Sequence, residues 1–430
     1  MNAYSLLLDI GGTDLKIASA KDGLLEVDSV RRYGMPNLKT NKPGEARLEP
    51  EIVLSLVNKT LEEFIKEFGE PQQILISGQM GTWILTDRDG QDFTEIISWQ
   101  DTSHSQTKDE IFLEVYGNQY CPEVKNLKDN GGEDWPGAPW RGFASECLNL
   151  HSGRTYLFHT LTSWIAWEIT GRINHVIHVT DAAASGMLNI ENNKWFDLST
   201  SLDKVVAMPN IITEMKIIGH TSGTSIPVFV AVGDQQASLL GAGLAPNIAI
   251  VNAGTGGQVA KLVSKIPQTQ NKVRPYFEEQ YIETITHIPS GRFIAKFLAR
   301  ANDNYGTDFD WTWLWQDSDF QSKEPLPPRL DWDYESFFER YFIDLKSIHE
   351  AKNTFLGELI KNFTGALSKL DLKDTVLIIL AGGVAQKWKK MKQEIQNEFG
   401  ISVEISTSVE TTLNGLAILD SRTAKVDRKH

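Results

Sequence analysis

The chain has only two cysteines in 430 residues, Cys121 and Cys147. Thiols so far apart make neither a metal-binding spacing nor a disulfide framework for so long a chain, so a reducing cytoplasm is the expected compartment. No apolar run approaches the about 18 residues that a membrane-spanning helix needs. The opening "MNAYSLLLDIGG" has no basic leader, and its apolar run meets Asp9 too early for a secretory signal. Positive charge is also scarce: 42 Lys and Arg stand against 56 Asp and Glu, a formal net charge of −14. That balance argues against a nucleic-acid or anionic-membrane partner. It leaves room for a phosphorylated ligand, which backbone N–H groups and a metal ion can hold. The nine histidines show no ligand spacing. His175 and His178 stand close together without a third ligand and read as a packed or solvated pair.

What is present is an ordinary globular composition, 41% hydrophobic and 23% charged, long enough for two or three domains. "YSLLLDIGGTDLKIASAKDGLLEVDSVRRYG" reads as short strands joined by tight turns at Gly11–Gly12 and Asp22–Gly23. "EIVLSLVNKTLEEFIKEFG" is an amphipathic helix closed by Gly69, and "QQILISGQMG" a buried strand running into a glycine loop. "KDNGGEDWPGAPWRG" reads as a loop, and "RTYLFHTLTSWIAWEITG" as an apolar helix ending at Gly171. The second half repeats the outline: two strands around a Gly/Thr turn, then a helix and a strand ending in glycine. The expected division is 1–224 and 225–430. "WTWLW", Trp311–Trp315, reads as core or interface.

Four motifs carry chemistry. In "DIGGTDLK", Asp9 ends an apolar strand and needs a partner. The turn Gly11, Gly12, Thr13 can point N–H groups at an anion, and Lys16 on the return strand adds charge. "NAGTGG" places Gly254, Thr255, Gly256 and Gly257 in a second such turn, which alone is as well explained as an ordinary hairpin. In "LAGGVAQ", Gly382 and Gly383 let a flat ligand approach the backbone, or serve a strand–helix turn. In "VFVAVGDQQASLLGAG", Asp234 follows a buried strand and opens a helix. It is a helix N-cap, a general base for a hydroxyl, or both.

Taken together, "DIGGTDLK", "SGQMG", "WQDTSH", "VGDQQASLLGAG", "NAGTGGQV" and "LAGGVAQ" follow the order seen in the FGGY carbohydrate kinases, and the chain resembles that family from about Leu6 to Asp420. The resemblance implies an α/β protein of two actin-like ATPase (ribonuclease H-like) domains with an interdomain active-site cleft. The N-terminal domain would bind sugar, and the C-terminal one nucleotide. It implies ATP and Mg²⁺ as cofactors and a small-molecule sugar as partner, in a monomer or homodimer. Asp234 resembles the family's base and, with Asp9, its metal site. Thr13, Lys16 and Gly254–Gly257 resemble phosphate contacts. Gly382, Gly383 and Gln386 resemble the adenosine site. Gln79, Met80, Trp99, Asp101 and Gln235 fall where the family handles sugar. Gly81 departs from the histidine that many pentulose-specific members carry. "RPYFEEQYIETITHIPSGR", Arg274–Arg292, resembles a segment of sedoheptulokinase-like members and points to a ketose. An actin-like ATPase that phosphorylates no sugar, and a sugar-binding pseudokinase, are the rival readings. ROK-type sugar kinases carry a cysteine-rich zinc motif that two cysteines cannot supply.

Overall fold

The residues Ser5–Ile10 are all buried and form strand β1, set inside the first sheet. A strand apolar on both faces satisfies its backbone only between two neighbours. These are β2 (Asp14–Lys21), antiparallel with Asp9 opposite Lys16, and β3 (Gln73–Gly78), parallel with Asp9 opposite Ser77. The expected turn at Asp22–Gly23 has φ of 50° and 76°, the left-handed pair that a tight hairpin turn demands. Helix α1 (Pro50–Phe68) starts on a proline and buries Val53, Val57, Leu61 and Phe64, spaced to share one face. It stops at Gly69, whose φ of 89° suits only glycine well. The computed structural model describes residues 3–91, 93–104, 131–196, 205–316, 341–342 and 347–427. Cys121 lies outside the described residues.

Two expectations need correction in this part of the chain. "RTYLFHTLTSWIAWEITG" is not one helix but strand β4 (Thr155–Thr160) followed by helix α2 (Leu161–Ile169). Thr160 makes the switch: its hydroxyl and that of Ser163 form a capping box that starts the helix there. The strand pairs antiparallel with Trp83–Asp87. The loop reading of "WPGAPWRG" ends at Pro139, the first residue of a helix reaching Asn149.

The chain divides into two compact units. Unit 1 comprises Met1–Gly241, Ser264–Tyr281 and Thr412–His430; unit 2 comprises Ala242–Val263 and Ile282–Thr411. This differs from a single boundary after residue 224, because pairing reaches across it. Strands β5 (Pro227–Phe229) and β6 (Val232–Gly233) lie parallel to β3, with Val228 opposite Ile74 and Val232 opposite Ser77. Helix α3 (Asp234–Gly241) follows directly. The C-terminal helix Thr411–Asp427 returns to the same unit. Its Gly415 packs so closely that a Cβ there would stand 1.9 Å from the Ala237 carbonyl, and Ser5 donates to Asp420 at 2.5 Å.

Unit 2 repeats the motif. Strands β7 (Ile248–Ala253) and β8 (Gly257–Val263) form a hairpin around the Gly/Thr turn. Beyond β9 (Tyr281–Ile288) and helices α4 (Gly291–Tyr305) and α5 (Ile348–Leu367), strand β10 (Leu377–Ala381) returns parallel to β7. With β11 (Ser402–Ile405), the order within the unit is β9-β8-β7-β10-β11. The pairing of β7 with β8 and β10 thus copies that of β1 with β2 and β3. Phe297 of α4 stacks on Phe355 of α5 at 4.1 Å between centroids, and both are fully buried. The Trp311–Trp315 segment is core-facing as expected, with Leu314 buried and Trp315 stacked on Trp388 at 5.4 Å. No helix among the described residues is long and apolar enough to cross a membrane.

The stack sets a prediction for this core. Phe355→Ala should lower unfolding free energy by about 3–5 kcal/mol, through lost burial and a residual cavity. Urea titration of the full chain reads this as a lower midpoint; an unchanged midpoint would show that the core collapses around the missing ring.

Candidate active site

Strands β1, β3 and β6 run parallel and end level with one another, since Asp9 and Val232 both lie opposite Ser77. In open α/β sheets the carboxyl ends of such strands are where ligands sit. Asp9 and Asp234 therefore emerge on either side of β3, two strand widths or about 10 Å apart at the backbone. Asp9 is buried, and Lys16 reaches it at 3.7 Å. Burial pushes the Asp9 carboxyl up to about 7; Lys16 opposes the shift and the charge of Asp234 adds to it. Asp234 keeps partial contact with solvent. Burial raises it to about 6, against the backbone N–H of Gln235, the Arg274 guanidinium and the backbone N–H of Met80, all of which favour the carboxylate. Asp181 pushes it further up.

The first Gly/Thr turn lies beside these acids in the same unit. Gly11 donates to the Asp14 carbonyl at 3.0 Å, and a Cβ on Gly11 would meet that oxygen at 2.9 Å. Gly12 and Thr13 are exposed at the tip. A Cβ on Gly12 would stand 3.3 Å from Gln79 Oε1 and 3.7 Å from Trp99 Nε1, so the turn, Gln79 and Trp99 share one place. Gln79 is buried, and its Oε1 has no hydrogen-bond partner among the described residues. A buried amide oxygen left this way is an acceptor waiting for a donor.

Gly81 has φ of +77°, and a Cβ there would lie 3.1 Å from the Trp135 ring and 3.4 Å from Trp99 Cβ. A histidine at this position would meet both a strained backbone and an indole already in its space. The departure from the family pattern is thus built into the loop. Asp101 has both carboxylate oxygens engaged by its own chain. Oδ2 accepts from the Ala46 N–H at 3.1 Å, and Oδ1 from the Ser103 N–H at 2.9 Å and hydroxyl at 2.5 Å. Arg47 adds an ion pair at 3.5 Å. Its visible work is to fasten the loop that carries Trp99.

Three further groups border the site that sequence reasoning did not select. Arg274 donates to Gln235 Oε1 at 2.5 Å and grips Glu133 through Nε and through Nη2 at 3.0 Å. Asp181 is fully buried; its Oδ2 accepts from the hydroxyls of Thr160 at 2.5 Å and Thr162 at 2.6 Å, while Oδ1 has no partner among the described residues. Glu133 and Arg274 are 141 positions apart. Only "RPYF", noted for another reason, marked either of them.

In unit 2 the other two glycine motifs meet. Gly382 has φ of +89°, and a Cβ there would lie 2.6 Å from the Ala253 carbonyl. The start of "NAGTGG" and the end of "LAGG" are therefore in backbone contact. The Gly254 carbonyl accepts from the Gly291 N–H at 2.9 Å and the Ser290 hydroxyl at 3.0 Å, and the Thr255 carbonyl from the Arg292 N–H at 2.9 Å. Thr255 and Gly256 are exposed, while Gly257 is packed under the Ile288 carbonyl. Gly383 opens a short helix on which Gln386 donates to the carbonyls of Ser406 at 3.3 Å and Ser408 at 3.1 Å. That side chain ties down the next loop. His175 and His178 behave as packed residues: His175 lies 4.6 Å from the His159 ring, and His178 caps the Val179–Ala182 helix. No cluster of three or more His, Cys, Asp or Glu able to hold a metal occurs among the described residues.

The Asp181 carboxyl is pushed up to about 6 by burial, against the two threonine hydroxyls. A raised folded-state value means that this acid favours folding while protonated, and that the contribution is lost as pH climbs from about 4 through 6. Asp181→Asn keeps the shape without the charge. Urea titrations should show the variant more stable than the parent by about 1–3 kcal/mol at pH 7.5, with the gap closing near pH 4. A gap independent of pH would refute the burial argument.

No family model matches the chain. Among curated proteins it is similar to a glycerol kinase of Aquifex aeolicus (strain VF5), 27% identical over 307 residues, or 66% of this chain and 58% of that one. A glycerol kinase of Staphylococcus epidermidis is 26% identical over 281 residues, or 60% of this chain and 54% of that one. The chain thus spans little more than half the length of the curated relatives it matches. Among solved structures, ligand-bound xylulose kinase from Lactobacillus acidophilus superposes with a TM-score of 0.76 at 17% identity, covering 99% of this chain and 90% of that one. Plasmodium falciparum glycerol kinase with ADP gives 0.69 at 15%, covering 99% and 91%. The two-unit α/β architecture is therefore the actin-like ATPase fold.

Proposed function

We propose that the chain, similar to glycerol kinases in sequence and to sugar kinases in fold, is an FGGY-type carbohydrate kinase that transfers the γ-phosphoryl group of ATP to a hydroxyl of a small polyhydroxy acceptor. The observation that carries this reading is Asp234. It is a carboxylate at a strand end, raised to about 6 and bonded by two backbone N–H groups, with Gln235 beside it and Gln79 in the same unit. A group so poised is ionised at neutral pH yet ready to take a proton.

In the proposed reaction the acceptor oxygen attacks the γ-phosphorus, the bond to the β,γ-bridging oxygen breaks, and ADP leaves. The hydroxyl proton passes to Asp234. Gln79, through its unpartnered Oε1, receives a hydrogen bond from the acceptor, and Trp99 and Met80 wall the site. The N–H groups of the Gly11–Thr13 turn favour the charge on phosphate oxygens. In unit 2, the Asn252–Gly257 turn and Gly382–Gly383 are the nucleotide groups, with Gln386 holding their neighbouring loop in shape. The carboxylates of Asp9 and Asp234 are hard oxygen donors suited to Mg²⁺, and two acids rather than a closed cage fit an ion that keeps waters and substrate oxygens. When bound, that ion spreads the negative charge of the phosphates. The segment from Arg274 supports a ketose of the pentulose or sedoheptulose kind. The similar proteins, named as kinases of xylulose, gluconate and glycerol, bracket the acceptor chemistry to be tested.

Asp234→Asn removes the base and keeps the shape. It should cut kcat for acceptor-dependent ADP release by about 10²- to 10⁴-fold. ATP affinity, read by calorimetry without Mg²⁺, should stay within about threefold, since the proposed nucleotide groups of unit 2 are untouched. Acceptor phosphorylation at the parent rate in this variant would overturn the assignment.

A further inference from the structure

Behind Gln235 lies an ion pair that the proposed chemistry does not use. Arg274 is 6% exposed and Glu133 fully buried. The guanidinium presents its Nε–Nη2 edge to both oxygens of Glu133, and Lys272 adds a second cation to that carboxylate at 3.1 Å. The Lys272 ammonium also sits 4.5 Å over the Trp135 ring, the same ring that fills the space beside Gly81. The remaining arm of the guanidinium, Nη1, donates to Gln235 Oε1 at 2.5 Å and lies 4.0 Å from Met80 Sδ.

Two consequences follow from the chemistry of these groups. An amide whose oxygen is held by a guanidinium must turn its NH₂ the other way, so Gln235 is set as a donor. And a guanidinium whose Nε–Nη2 edge is closed on Glu133, and whose Nη1 is engaged by Gln235 Oε1 and Met80 Sδ, has no second bidentate edge left for a carboxylate. Among the described residues, the acids around the site are Asp9, Glu133, Asp181 and Asp234; the cations that pair with them or offset their charge are Lys16, Arg32, Lys272 and Arg274. An acceptor bringing its own carboxylate would add like charge beside four acids that already draw these cations.

Resting on the kinase reading above, we infer that Arg274, locked by Glu133, is a positioning and specificity residue: it sets Gln235 as a donor to a neutral polyol or ketose and leaves the site closed to sugar acids. Glu133 is the part that makes the arginine unavailable to a sugar acid. Released from Glu133, the same guanidinium would become a carboxylate receptor at the same place.

The test uses the full chain with ATP and Mg²⁺, and reads ADP release and acceptor binding with glycerol, D-xylulose and D-gluconate. The parent should favour one of the neutral acceptors over gluconate by at least about tenfold in kcat/KM, the scale of one charge-assisted contact. Glu133→Gln should narrow that ratio at least about tenfold by improving gluconate relative to the neutral acceptor. Arg274→Met should lower kcat/KM for the neutral acceptor about 10- to 100-fold with ATP affinity unchanged, and Arg274→Lys should not restore it. If Glu133→Gln does not fold, the double-mutant cycle of Arg274→Met with Gln235→Leu decides: the two losses should overlap rather than multiply. Gluconate preferred by the parent, a ratio unmoved in Glu133→Gln, or fully multiplicative losses in the cycle would each overturn the inference while leaving the kinase reading intact. No ADP release and no calorimetric binding with any acceptor would overturn both.

Discussion

The site depends on backbone pairing more than on any side chain. Strand β3 holds β1 on one side and β6 on the other, and both registers pass through Ser77. That shared register brings Asp9 and Asp234, which are 225 positions apart in sequence, to the same edge of the sheet. A slip of one residue in the β1 ladder would turn Asp9 to the opposite face of the sheet, and one in the β6 ladder would shift the start of α3 that carries Asp234. The burial of β1 on both faces is what prevents such a slip, because every residue from Ser5 to Ile10 is already enclosed. The first Gly/Thr turn, the Gln79–Gly81 loop and the start of α3 then leave from adjacent strand ends. The chemistry inherits its geometry from the ladder.

The electrostatics follow from that geometry. Three carboxyls, Asp9, Asp181 and Asp234, are gathered where little water reaches, and all are raised. Each has partial compensation: Lys16 for Asp9, two threonine hydroxyls for Asp181, two backbone N–H groups and Arg274 for Asp234. The compensation is incomplete, which disfavours three negative charges in the resting protein. A protein selected for stability alone would have little use for such a set. For the proposed phosphoryl transfer it would be useful, since the acids are close to the balance point between holding and releasing a proton.

Much of this was legible in sequence where local patterns decide. The hairpin turn at Asp22–Gly23, helix α1 with its glycine stop, and the repeated order of hairpin, helix and parallel strand all rest on neighbours in the chain. The misread segment was "RTYLFHTLTSWIAWEITG". It is apolar throughout, so periodicity cannot separate strand from helix, and the change at Thr160 is made by a side-chain cap and by pairing with Trp83–Asp87. The division after residue 224 differed from the compact units for a similar reason. Strands β5 and β6 look like the opening of a second half, but their hydrogen bonds go to β3.

By itself the sequence determined which residue types stand at which strand ends: Asp9 before two glycines, Gln79 and Met80 after Gly78, Asp234 before two glutamines. Those choices are local, because a buried strand must end, a turn must have glycine, and a helix must start. Only the tertiary structure decided which of them meet and what surrounds them. It placed a tryptophan over Gly81, engaged both oxygens of Asp101 with its own loop, and closed Arg274 on Glu133 from 141 positions away. Contacts of that separation are written in no periodicity or spacing. They arise when sheet register and loop packing bring distant chain together, and the low dielectric there makes each charge answer to its neighbours.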